Sequence, residues 1–136
     1  MPRCSTCRDV VPPLTPVAIV NGNSGPGRSY YACRGCLVAG RLIPFALHPI
    51  GSRGTRMTYP DIVPADLVAR LAELGDRPDL IAPVARLMDA ATRTKRRAAS
   101  ADELHAAHEQ ARTAVADLRT AARARHPATP ATEVAR

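Results

Sequence analysis

Aromatic side chains are nearly missing from this chain of 136 residues, which has no Trp, one Phe and three Tyr. That scarcity excludes a large aromatic core, so part of the chain needs something besides burial to hold it. Long apolar runs are missing too. No stretch approaches the roughly 18 residues of a membrane span, and "MPRCSTCRDV" at the start lacks the apolar centre of an export signal. The chain therefore reads as soluble and cytoplasmic, with no membrane partner. Enzyme signatures are also lacking. "GNSGPG" (22–27) is followed by neither a helix nor a Lys-Ser/Thr pair, as a phosphate-binding loop requires, and no carboxylate pair sits beside a plausible base. The expectation is a protein that is not an enzyme and has no catalytic residues.

Cysteine is scarce but organised. All four cysteines fall in two pairs of equal spacing, "CSTC" (4–7) and "CRGC" (33–36). Two residues between cysteines let a tight turn point both sulfurs the same way, and a hairpin between the pairs would bring them together. Cys4, Cys7, Cys33 and Cys36 then supply the four thiolates of a closed tetrahedral site for one structural Zn2+. Four thiolates also suit iron. Disulfides need an oxidising compartment. A redox dithiol usually has one such pair at a helix start beside a strand, whereas here there are two pairs in Pro- and Gly-rich surroundings. A metal also meets a physical need, because a module of about 50–60 residues is below the length that a hydrophobic core alone usually sustains.

Around these pairs the sequence reads as strand and turn. "LTPVAIV" (14–20) and "RSYYAC" (28–33) flank the turn-forming "NGNSGPG" (21–27), which predicts a β-hairpin. A third short strand is expected in "RLIPFALHP" (41–49), with Pro44 placing it at an edge. "GSRGTR" (51–56) reads as a flexible basic loop. The composition then turns helical. In "PADLVARLAELG" (64–75), Pro64 suits the start, leucines recur at helical spacing and Gly75 supplies the stop.

From Leu80 to His126 two readings stand. A 3.5-residue apolar stripe through Leu104, Ala111 and Leu118 supports one long coiled-coil helix. The capping-box pattern "SADE" (100–103), with basic residues before it and acidic ones after, favours a break near Ser100 and a helical hairpin. The fold class expected is α+β: a small Cys4 zinc β-ribbon over 1–58, an Ala-rich helical segment over 62–126 and a disordered tail over 127–136.

"GRSYYACRGC" (27–36) is similar to the close of the zinc β-ribbon of DNA-recombinase-type proteins, in which an aromatic pair stands just before the second cysteine pair; Tyr30, Tyr31 and Cys33 match that feature. The resemblance covers residues 1–50 and implies a ribbon that contacts DNA. Nothing matches the catalytic domain of that family, so it carries over no activity.

Charge points the same way. Residues 1–63 hold seven Arg against Asp9 and Asp61, or +5, while residues 64–136 hold twelve basic and ten acidic side chains, or +2. The electropositive part is the cysteine-bearing part. Arg28, Tyr30, Arg34, Arg41, Arg53 and Arg56 form the candidate nucleic-acid surface, with Arg donating to phosphate and Tyr offering a stacking face. "RTKRR" (93–97) could add a phosphate contact or could be a solvated helix end. His48 could neighbour the metal but reads as a loop residue without a role, and His105 and His108 as polar residues on an exposed helix face. Two functions follow: a small nucleic-acid-binding protein, with DNA as the expected partner, or a protein–protein adaptor using the ribbon as a rigid knob and the helices as interface, including a homodimer through them.

Overall fold

The computed structural model describes residues 3–8, 10, 13–20, 27–50, 54–75, 77–96 and 99–124. The tail, Arg53, Arg97 and His126 lie outside these residues. The architecture is α+β, a two-stranded antiparallel sheet with four helices. Strands β1 (Leu14–Val20) and β2 (Arg28–Cys33) form the expected hairpin. The pairing slips by one residue between Pro16 and Ala18, leaving Val17 as the extra residue of a bulge. Pro16 has no N–H to give the ladder, which favours the irregularity there. The bulge breaks the in–out alternation of β1, and Val17 and Ala18 are both buried.

Helix α1 (Arg34–Ala39) follows β2 without a loop. No sequence signal marked it, since six residues including Gly35 are too few to show a helical period. The strand expected over 41–49 does not form. Leu42 makes one isolated bridge to Thr58, flanked by bonds from the Ile43 N–H to the Met57 carbonyl (2.9 Å) and from the Tyr59 N–H to the Arg41 carbonyl (2.8 Å). Pro44 then ends the donor row, and residues Phe45–Leu47 coil into a 3-10 turn.

Gly54 ties the next segment back to β1. Its carbonyl accepts from the Ile19 N–H at 2.8 Å, its φ is +81°, and a Cβ there would lie 2.3 Å from the Ile19 carbonyl oxygen. Both the dihedral and the close approach require glycine. Gly54→Ala is expected to lower stability by about 2 kcal/mol or more, read as a shift in urea midpoint; a midpoint within error of the parent would show that this approach is not needed.

Helix α2 (Ala65–Leu74) starts behind Pro64 and stops at Gly75, whose φ is +71°. A 3-10 turn at Pro78–Leu80 leads into α3 (Ile81–Thr94), and α4 (Ala101–Arg123) follows. The helix does break at Ser100. The Ser100 hydroxyl accepts from the Glu103 N–H (3.1 Å) and the Glu103 carboxylate accepts from the Ser100 N–H (3.0 Å). Helices α3 and α4 pack antiparallel, with Arg86 bonded to Asp117 (2.6 Å) and Arg93 to Gln110.

Two apolar clusters result. The larger joins Leu67, Leu71, Leu80, Val84, Leu87 and Leu118 of the helical part to Ile43, Leu47 and Tyr59. The smaller holds only Val17, Ala32, Leu37 and Leu42, with Tyr30, Cys36 and Ala72 against it. Arg77, 8% exposed, is the one buried cation among the described residues. Its guanidinium grips both oxygens of Asp79 (3.1 and 2.6 Å) and donates to the Ala124 carbonyl (2.9 Å). That contact holds the Asp79 carboxyl below its usual range and ties the end of α4 to the turn before α3.

Candidate metal centre

The hairpin brings the two cysteine pairs together. Cys4 forms a parallel bridge with Tyr31, the Ser5 N–H donates to the Tyr31 carbonyl (2.8 Å), and the Tyr31 N–H donates to Ser5 Oγ (3.2 Å). The first pair is thus stitched to β2 two residues before Cys33. The turn closes where the Arg8 N–H meets the Cys4 carbonyl (2.9 Å), with Arg8 at φ +66°. The second pair differs from the expected knuckle. Cys33 ends β2 and is the N-cap residue of α1, while Cys36 lies in the first turn of that helix. A helical turn also points residues three apart to one side.

All four sulfurs lie within 4.8 Å of one another, and Cys7 Sγ and Cys33 Sγ are 3.8 Å apart. A tetrahedron of thiolates at the usual zinc–sulfur length of about 2.3 Å has edges of about 3.8 Å. The cluster therefore fits one metal ion, and its sulfurs are well beyond disulfide bond length. Cys4 is fully buried, Cys33 and Cys36 half-buried and Cys7 exposed. Burial alone would raise the Cys4 thiol, yet backbone hydrogen bonds from Cys7, Cys33 and Thr6 and the Cys36 side chain outweigh it and bring the group to about 6. Cys36 is pushed up to about 12, chiefly by the Cys33 and Cys4 sulfurs beside it. Crowded sulfurs cannot all be thiolates without a cation among them.

His48 is not part of this cluster. Nor is it a bystander, because it is buried, with its ring edge-on to Phe45 at 5.2 Å and Nε2–H donating to the Ile43 carbonyl (3.0 Å). Its Nδ1 is buried without a hydrogen-bond partner among the described residues. Burial lowers its pKa below the ordinary 6.5, opposed by the Ile43 carbonyl. The unfolded chain thus takes up a proton at higher pH than the folded one, and stability falls as pH drops below about 6.5. His48→Gln is expected to flatten the loss between about pH 7 and 5 in thermal melts; an unchanged pH dependence would overturn this assignment.

The candidate nucleic-acid residues divide. Arg28, Arg34 and Arg56 are exposed. Tyr30 is half-buried, one side against the smaller cluster. Arg41 turns inward, donating to the carbonyls of Pro60 and Val63 (2.7 Å each) and Tyr59 (3.4 Å), so its guanidinium clamps the turn before α2. Arg3 and Arg8, not included in the sequence-based surface, line a cleft of about 270 Å³ with Cys4, Ser5, Arg28 and Tyr30. Their positions flanking Cys4 and Cys7 were the available signal.

The arginines of the two halves also differ in pairing. Arg70, Arg77, Arg86, Arg93, Arg112 and Arg119 each have a carboxylate partner, while Arg96 and Arg123 form no ion pair with a described residue. Arg3, Arg8, Arg28, Arg34 and Arg56 form no ion pair with a described residue. His105 and His108 are exposed, and the four-cysteine group is the only candidate metal cluster among the described residues. No described helix is long and apolar enough to cross a membrane. Comparison with protein-family models, with curated proteins and with solved structures finds no match to the chain.

Proposed function

We propose that the four cysteines hold one structural Zn2+ and that the protein is a small, non-enzymatic nucleic-acid-binding protein whose metal module contacts phosphate. The observation that carries this reading is the unpaired arginine set. In the helical half six of the eight described arginines are paired with a carboxylate, Arg96 and Arg123 being the exceptions, whereas around the metal the guanidinium groups of Arg3, Arg8, Arg28, Arg34 and Arg56 all face solvent without a carboxylate partner among the described residues. Three of them converge on one cleft beside Cys4. Such a surface attracts a polyanion and exchanges its counterions for phosphate. The apolar stripe of α4 is meanwhile used inside the chain, against α3.

The test is fluorescence anisotropy of zinc-loaded protein on labelled nucleic acid across a salt series. Affinity should fall with salt by about 0.9 log per log for each phosphate contact, and the Arg3→Ala/Arg8→Ala/Arg28→Ala variant should bind at least about tenfold more weakly. Metal content and circular dichroism serve as controls for its fold. No binding at low salt, or binding insensitive to salt, would overturn the proposal.

A further inference from the structure

The basic cleft beside Cys4 is the first of three depressions linked by shared lining residues, which together make a candidate groove. It shares Tyr30 with a second depression of about 210 Å³, formed with Ala18, Val20, Thr55 and Arg56. Arg56 in turn lines a third cleft of about 490 Å³, which reaches Thr94 and Lys95 at the end of α3. Tyr30 and Arg56 thus place the three side by side, from the cysteine-bearing module to the helical part. Lys95 belongs to the basic run 93–97 singled out in the sequence; Arg93 of that run is paired with Asp89, but Lys95 is exposed and forms no ion pair with a described residue.

The groove is cationic at both ends and apolar in the middle. Val20, nearly half exposed, and the Tyr30 ring offer little to a duplex, whose bases are stacked inside and which presents phosphates and polar groove edges. A single strand has both parts that this surface complements: phosphates for the terminal cations and base faces for the apolar, aromatic centre. We infer that the ligand is a single-stranded nucleic acid lying along this groove, from Arg3, Arg8 and Arg28, over Tyr30, to Arg56 and Lys95. This rests on the nucleic-acid reading above and adds to it the strandedness and the path. Asp61 is the only acidic residue lining the third cleft among the described residues, and it opposes a phosphate there.

The test uses the full zinc-loaded chain with labelled oligothymidylate and oligouridylate of about 4, 8 and 16 nucleotides, the range such grooves occupy, and duplexes of the longer two lengths. Single strands should bind at least about tenfold tighter than duplex, with affinity rising with length. Lys95→Gln should weaken the longest strand about threefold or more and leave the shortest unchanged. Asp61→Asn should tighten the longest strand, a direction that loss of folding cannot imitate. Salt-sensitive binding with duplex equal or preferred overturns the groove while leaving the phosphate-contact reading intact. Indifference of the longest strand to both substitutions overturns the path onto α3. Absence of binding to any polyanion overturns both proposals.

Discussion

Chelating the metal, or replacing Cys4 by Ser, is expected to unravel the β-hairpin and α1 while the α3–α4 pair stays folded. The apolar cluster that belongs to the hairpin holds four buried side chains, Val17, Ala32, Leu37 and Leu42. Burying a Val or Leu contributes about 1.5–3 kcal/mol, whereas ordering each residue costs about 1–2 kcal/mol in backbone entropy. Four such side chains cannot hold the ordered residues between Arg3 and Ala39. A structural zinc ion contributes about 10–16 kcal/mol in small modules, more than these buried side chains supply together. The larger cluster, with Leu67, Leu71, Leu80, Val84 and Leu87, contains none of the hairpin residues. Amide hydrogen exchange after chelation should therefore show protection lost in β1 and β2 and retained in α3 and α4. Hairpin amides that stay protected without metal would sink the idea, and so would simultaneous loss of every helix.

Leu118→Ala should cost about 3 kcal/mol, a large fraction of the stability of a chain this size. Four of the five buried positions of α4 are alanines, Ala107, Ala111, Ala114 and Ala122; Leu118 is the exception and is wholly inaccessible. It reaches into the same core as Leu67, Leu80 and Leu87. Alanines bring the backbones of α3 and α4 close, so neighbouring side chains have little freedom to fill the space that a truncated Leu118 leaves. Leu104, half-buried and outside that core, should lose less than about 1 kcal/mol on the same change. Urea denaturation with an unchanged slope separates the two; equal losses would overturn Leu118 as the one large side chain that α4 places in that core. The placement also bears on self-association. A charge at position 118 would disrupt the monomer's own core before it could report on a dimer.

Local chemistry was legible in the sequence wherever a few adjacent residues suffice. The cysteine spacing indicated which four side chains could share an ion, the Ser100–Glu103 pair marked the helix break, and Pro64 and Gly75 bounded α2. The third strand was misread because "RLIPFALHP" has strand composition, while its pairing depended on Thr58, sixteen residues beyond Leu42. Helix α1 was missed because its six residues are too few for a period.

Arginine shows the division most plainly. Sequence alone determined that the cysteine-bearing half carries excess positive charge, since charge is a property of composition. Only the tertiary structure decided which guanidinium groups remain available. Arg41 turns to the carbonyls of 59–63, and Arg77 is buried against Asp79 and Ala124, while Arg3, Arg8 and Arg28 share one exposed cleft. A guanidinium on a flexible stem satisfies its donors with water, carboxylate or backbone, whichever the fold places within reach. Those acceptors lie 2 to 47 residues away along the chain, so no local pattern can tell a structural arginine from a binding one.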